Sequence, residues 1–193
     1  TVQPVLRINA EWTISAEGTI TARMHVTKNS EFPMIPRFGV RMILREDMQN
    51  INYIGMGPYE SYIDKHHASW HGAFSASIDK MHEDYIMPQE NGSHHDCSYV
   101  RVSAPGANDG ADRTSHSIAV TSAVPFSMNA SPYTAEELTN AAHNYELPES
   151  NKAVLCIDYR QNGIGSNSCG PELDEKYRFD EDEWEFGFTM HVK

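Results

Sequence analysis

The sequence predicts an all-β domain, mainly antiparallel and of the sandwich type. Three observations carry that prediction. Apolar side chains recur with period two in run after run, Gly/Pro/Asn/Asp clusters separate the runs, and a single stretch carries a helical pattern. In residues 19–26, Ile20, Ala22, Met24 and Val26 share one face while Thr19, Thr21, Arg23 and His25 share the other, as in a half-buried strand. Lys28-Asn29-Ser30 reads as a turn, after which Phe38, Val40, Met42 and Leu44 repeat the alternation. The last run is the cleanest: Trp184, Phe186, Phe188, Met190 and Val192 alternate with Glu185, Gly187, Thr189 and His191. Shorter β-type runs cover 51–54, 99–102, 117–122 and 153–158, and the clusters at 55–58, 105–112 and 163–171 read as turns between strands. The helical stretch starts at Thr134, an N-cap whose capping box is completed by Glu137 ahead of Leu138, Ala141 and Ala142. The β/α alternation of a catalytic barrel is absent.

Length and charge bound the rest. A chain of 193 residues suits one domain, spanning 1–193, with residues 1–11 expected to be a linker or a remnant of a preceding domain. Residue 1 is not methionine, and residues 1–10 lack the basic start and apolar stretch of a signal peptide, so the chain reads as a fragment or a processed product. A net charge of −12 gives no footprint for phosphate backbones or anionic membranes, so neither nucleic acid nor a membrane is an expected partner. No apolar run approaches the ~20 residues of a membrane span.

The chemistry-bearing residues form few pairs at useful spacing. Cys97, Cys156 and Cys169 make no CxxC and no disulfide framework, and Cys156, inside an apolar run, reads as a small buried hydrophobe. His67 and His71, and the run His94-His95-Asp96-Cys97, invite a metal site. Neighbours on a strand point to opposite faces, however, so solvated polar loops are the expectation and no metal is assigned. The acidic run Asp180-Glu181-Asp182-Glu183 lacks the spaced ligands and glycine of a calcium loop and reads as a solvated turn. Asn91-Gly92-Ser93 and Asn129-Ala130-Ser131 match glycosylation sequons, a pattern that arises often by chance. Glu60 and Glu90 each follow a proline-containing turn, where a carboxylate accepting backbone N–H groups fixes a loop rather than performing catalysis.

Three segments, in this order, carry a family likeness. The first runs from Tyr53-Ile54-Gly55-Met56-Gly57-Pro58-Tyr59-Glu60 to Lys65. The second is Tyr85-Ile86-Met87-Pro88-Gln89-Glu90-Asn91-Gly92. The third runs from Ile157-Asp158-Tyr159-Arg160-Gln161-Asn162-Gly163-Ile164 to Pro171. Together with the closing strand they resemble the small-chain, fifth and last, domain of glycoside hydrolase family 2 β-galactosidases of the lactose-operon type, over nearly the whole chain from Trp12 on. The resemblance implies a β-supersandwich of the galactose-mutarotase-like kind. It also implies a parent enzyme that cleaves terminal β-D-galactosides with retention, using two glutamates on a separate (β/α) barrel that this chain lacks. Retention needs two carboxylates ~5–5.5 Å apart, so no catalytic residue is assigned here. The expected partners are the other domains of the parent, a galactoside sugar and further copies of the parent. Any Mg or Na of the family is expected on other domains, with no cofactor held by this chain.

The residues at 163–171, taken alone, favour a plain turn, because Gly-rich loops are common and the G-K-[ST] ending of a phosphate cradle is missing. The resemblance instead makes this loop an arm that closes the neighbouring active site and brings Asn167 and Cys169 to the sugar. The sequence departs from the family at three places: Lys65 and His94 stand where arginine is frequent, and Cys169 stands where a tryptophan stacks on the sugar. Two other functions stay open on the residues: a free-standing carbohydrate-binding module, and an aldose epimerase, for which no motif pairs the required histidine and carboxylate. A domain cut from a larger protein is also expected to expose an apolar strip meant to be covered.

Overall fold

In the computed structural model, residues 3–85, 90–106, 116–150, 152–164 and 172–193 are described. They form nine strands: β1 (Leu6–Ile14), β2 (Thr19–Lys28), β3 (Arg37–Leu44), β4 (Asn50–Gly57), β5 (Trp70–Ser77), β6 (Ser93–Ser103), β7 (Ser117–Ser131), β8 (Ala153–Gln161) and β9 (Glu183–Val192). One short helix, α1 (Ala135–Asn140), lies between β7 and β8. The sheet runs β1-β2-β9-β7-β6-β4-β5, and β8 branches from β7 with β3 at its far edge. Every ladder is antiparallel.

The branch makes the sandwich. The first part of β7 pairs Ile118 through Thr121 with β9, and the last part pairs Ser127 through Ser131 with β8. One strand therefore serves two layers. The alternation read from the sequence supplies their inner faces. On β2 and β9 the rows Ala22, Met24, Val26 and Trp184, Phe186, Phe188, Met190 are buried, and Phe38, Leu155 and Ile157 close over them from β3 and β8. Phe38 meets Trp184 edge-on at 5.3 Å, and Phe179 meets it at 4.9 Å. Each such aromatic contributes roughly 1.5–3 kcal/mol of burial, with its edge-to-face contacts added.

The strands are longer than the sequence signals. The cluster at 55–58, expected as a turn, is strand as far as Gly57, and the chain turns only at Pro58. Gly55 serves close approach instead: a Cβ there would sit 2.4 Å from the Cys97 Sγ. The runs at 99–102 and 117–122 are pieces of β6 and β7, which continue through Ser93, His94, Ser127 and Ser131. Those polar residues are buried inside the ladder, so no apolar alternation marks them. The helix matches its signal: Thr134 Oγ1 accepts from the Glu137 N–H at 3.2 Å, and Glu137 Oε2 accepts from the Thr134 N–H at 2.8 Å.

Strand β1 begins at Leu6, and all nine of its residues pair with β2. Its inward row overhangs the core. Ile8, Trp12 and Ile14 stand opposite Val26, Ala22 and Ile20, yet they are 49%, 47% and 72% exposed. This is an uncovered apolar strip on an edge strand, of the kind expected of a domain from a larger protein.

Candidate functional site

The first two family segments meet at Glu60. Its side chain lies just past the Pro58 turn and is buried. Its carboxylate accepts the Tyr85 hydroxyl at 2.7 Å, the Gly92 N–H at 3.0 Å and the Tyr62 hydroxyl at 3.4 Å, and it is paired with the Lys65 ammonium. Burial alone would raise its pKa, but Lys65, Tyr85 and the Gly92 amide together hold it below the ordinary carboxylate range. A carboxylate engaged on every side fixes a loop and is poorly placed to exchange protons with a substrate. Gly92 is required by geometry. Its φ is +65°, and a Cβ there would fall 2.1 Å from the Met81 carbonyl oxygen. We expect Gly92→Ala to destabilise the chain by about 2 kcal/mol or more in denaturant unfolding; a change within about 0.5 kcal/mol would contradict the arrangement.

The second and third segments meet at Arg37, which lies in none of the three. Arg37 Nη2 donates to Asp158 Oδ2 at 2.5 Å and Nε to Oδ1 at 3.3 Å, while Nη1 reaches Glu90 Oε2 at 2.9 Å. The Asp158 side chain is only 3% exposed. Burial pushes Asp158 up to about 6 against the pull of Arg37. Arg37, although desolvated, is held more firmly protonated by Asp158 and Glu90. Glu90 thus fixes its loop through Arg37, and its backbone carbonyl accepts the Tyr85 hydroxyl at 3.2 Å, in place of the backbone N–H bonds expected for its side chain. This triad floors a cleft of about 320 Å³ on the outer face of β3 and β8, roofed by Leu138 of α1.

The third segment leaves β8 through a pinned root. Gln161 Nε2 donates to Ser93 Oγ at 2.7 Å. The Asn162 side chain donates to the Ile35 carbonyl at 2.9 Å and accepts the Phe179 N–H at 2.6 Å, and its backbone N–H reaches the Pro36 carbonyl at 2.8 Å. Asp64, from the first segment, accepts the Ile164 N–H at 3.0 Å, and a Cβ on Gly163 would lie 2.0 Å from the Asp64 Cγ. The three segments therefore converge just past the end of β8, around Asn162, Gly163 and Ile164. Asn167 and Cys169, the two residues assigned to the sugar, lie outside the described residues.

Among the other sequence candidates, no three His, Cys, Asp or Glu side chains converge as metal ligands within the described residues. His66 and His67 meet edge-on at 5.2 Å, while His71 lies on β5. Asn91 is buried, with its amide nitrogen donating to the carbonyls of Glu83 and Tyr85, which leaves its sequon no free acceptor. Cys97 and Cys156 are both buried free thiols, Cys156 with its pKa raised by burial to about 11. The acidic run is partly structural: Asp182 pairs with the buried Lys28 at 2.9 Å, and Glu181 with Arg160 at 3.3 Å. Arg37, Asp64, Gln161 and Asn162 were not singled out from the sequence. Arg37 has no local signal, because its partner Asp158 is 121 positions away. Asp64, Gln161 and Asn162 lay inside the quoted segments, and Gln161 and Asn162 were findable as polar residues at a strand end.

Comparison with known proteins agrees with this convergence. A family model described as the beta-galactosidase small chain matches residues 1–190. A β-galactosidase of Actinobacillus pleuropneumoniae is 41% identical over 96% of this chain and 17% of that protein. One of Staphylococcus xylosus is 36% identical over 98% of this chain and 18% of that protein, and one of Arthrobacter sp. strain B7 is 32% identical over 86% and 16%. The chain spans about a sixth of the length of these curated relatives. The convergent segments, the all-β sandwich and these matches together place the chain in the β-galactosidase small-chain family.

Proposed function

We propose that the chain is the accessory domain of a retaining β-galactosidase acting on terminal β-D-galactosides, in which it shapes one wall of the active site. The observation that carries this reading is the pinned root of the arm. Asp64, Asn162 and Gly163 fix the chain from the end of β8 as far as Ile164. A loop positioned by a rigid scaffold is suited to present side chains to a neighbour's substrate. In this reading Asn167 and Cys169 face the sugar, and the nucleophile and the acid/base are glutamates on a (β/α) barrel of the parent. The other domains of the parent cover the apolar strip of β1, the parent assembles as a homo-oligomer, and any Mg or Na resides on those other domains.

The isolated chain is then inactive on nitrophenyl β-galactoside, because Glu60 is consumed by structure and Glu90 is paired with Arg37. The test is made in the full-length parent. Cys169→Ala removes shape and weak contact and should cost less than about 1 kcal/mol in kcat/KM. Cys169→Trp offers a ring face and should change kcat/KM by about 1 kcal/mol, upward by stacking on the sugar or downward by filling the pocket. If neither substitution alters the steady-state constants on any β-galactoside, residue 169 does not face the substrate and the arm is only a turn.

A further inference from the structure

A second cleft, of about 410 Å³, lies beside the root of the arm. Two irregularities of one ladder build it. Between His94 and Cys97 of β6, two residues, His95 and Asp96, stand against the single Ser127 of β7. Between Cys97 and Tyr99, four residues of β7, Ser122 through Pro125, stand against the single Ser98. The first bulge matters for chemistry. Adjacent residues on a regular strand point to opposite faces. Here Asp96 adopts φ +54°, and it is the one non-glycine residue with positive φ among the described residues. His95 and Asp96 consequently line the same cleft. The bulge interrupts the alternation expected of neighbours on a regular strand.

Neither side chain is tied down by a hydrogen bond: among the described residues, no group hydrogen-bonds to the Asp96 carboxylate or to the His95 ring nitrogens, and the His95 ring lies 6.2 Å from the His66 ring between centroids, within reach of the charges of Asp96 and Arg160. Both side chains are half-buried. Burial lowers the pKa of His95, so its ring is neutral near pH 7 and offers one donor and one acceptor. The opposite wall brings Tyr159, Arg160 and Gln161 from β8, and Phe126 lies at the bottom. Arg160 is already paired with Glu181, and the chain carries a net charge of −12, so an anion has no welcome there. A free carboxylate and a neutral imidazole in a cleft of this size match the hydroxyls of a neutral sugar.

We propose that the β6-bulge cleft is a second binding site for a neutral saccharide, with Asp96 and His95 as its hydroxyl partners. It rests on the galactoside reading above and adds a place where the chain holds a saccharide outside the arm. Ile63, which also lines the cleft, is followed by Asp64, the residue that pins the arm. Bound sugar and arm root therefore share one wall.

The test titrates the 193-residue chain with D-galactose and with lactose, read by amide shifts in NMR. Saturable shifts at His95, Asp96 and Tyr159 are expected with at least one of them. Asp96→Gly and Asp96→Asn should each weaken binding by about tenfold, the loss of one charged hydrogen bond. Asp96→Gly should meanwhile keep or raise the melting temperature, because glycine adopts φ +54° freely. A merely structural bulge would give that stability change with no binding to lose. No saturable shift with either sugar, or an affinity in both variants equal to that of the unsubstituted chain, overturns the proposal. Hydrolysis of nitrophenyl β-galactoside by the full-length parent is measured alongside. Turnover without binding at this cleft sinks the cleft alone; a parent inactive on every β-galactoside sinks the functional reading.

Discussion

Arg37→Ala is expected to lower the unfolding free energy by about 3–5 kcal/mol at neutral pH, the cost of leaving a buried charge without its partner. The Asp158 side chain is 3% exposed and holds two of the three hydrogen bonds that Arg37 donates. Removing the guanidinium strands that carboxylate and also releases Glu90 and its loop. The pH dependence fixes the cause. Asp158 has a folded pKa of about 6, above the ~3.9 of an unfolded chain. A raised pKa favours folding fully below about 4, and that contribution is lost as pH rises through about 6. Without Arg37 the pKa climbs further, so the deficit of the variant should be largest near pH 8 and should shrink in acid as Asp158 takes up a proton. Urea unfolding at pH 8 and pH 5 measures both. A deficit below about 1 kcal/mol, or one that grows on acidification, would show that the pair is not desolvated. Arg37→Lys should recover part of the loss, since a single ammonium keeps the charge and not the bidentate fork.

The sandwich was legible because its core is written in alternation. Trp184, Phe186, Phe188 and Met190 point inward every second residue, and no other periodicity competes. The same logic missed β1 and β5. Ile8, Trp12 and Ile14 alternate too, but they are spaced by Ala10 and left uncovered, while β5 carries Gly72 and two serines in place of an apolar row. Where polar residues enter the buried ladder, as Ser93, His94, Ser127 and Asp158 do, the pattern breaks and only tertiary pairing shows what satisfies them. The candidate site followed the same division. Glu60 was legible as a loop-fixing carboxylate, since a proline turn announced it. The Arg37–Asp158 pair joins positions 121 apart and depends on the β3–β8 ladder, which no local rule supplies. The shared place of His95 and Asp96 beside one cleft goes with a one-residue register shift, and that is a property of two strands at once.

His94 should make the chain sensitive to acid. Its site is fully interior: His94 is 2% exposed and packs on Tyr53 at 4.6 Å. Its Nδ1 lies 3.1 Å from the Met56 carbonyl, which only accepts, so the hydrogen is on Nδ1. Burial drives its pKa down to about 4, outweighing the opposing pull of the Met56 carbonyl and of Glu60. The unfolded value is ~6.5. A depressed pKa contributes stability that is present above about 6.5 and lost as pH falls toward 4, here roughly 3 kcal/mol. His82 and His95 are shifted in the same direction by burial and add to the loss. Asp158 acts oppositely over an overlapping window, so the acid profile of the native chain is a difference of large effects. Comparison with His94→Asn isolates one of them, because everything else is common to both proteins. The asparagine amide can donate to the Met56 carbonyl in place of Nδ1 but has no ring to lay on Tyr53. The variant should therefore be less stable at pH 7.5, and its deficit should narrow by roughly 3 kcal/mol by pH 4, to the point of vanishing or reversing. Urea midpoints for the two chains across this range decide it: a deficit independent of pH would mean that His94 is as well solvated folded as unfolded, and that its burial between β4 and β6 is not what the neutral ring requires.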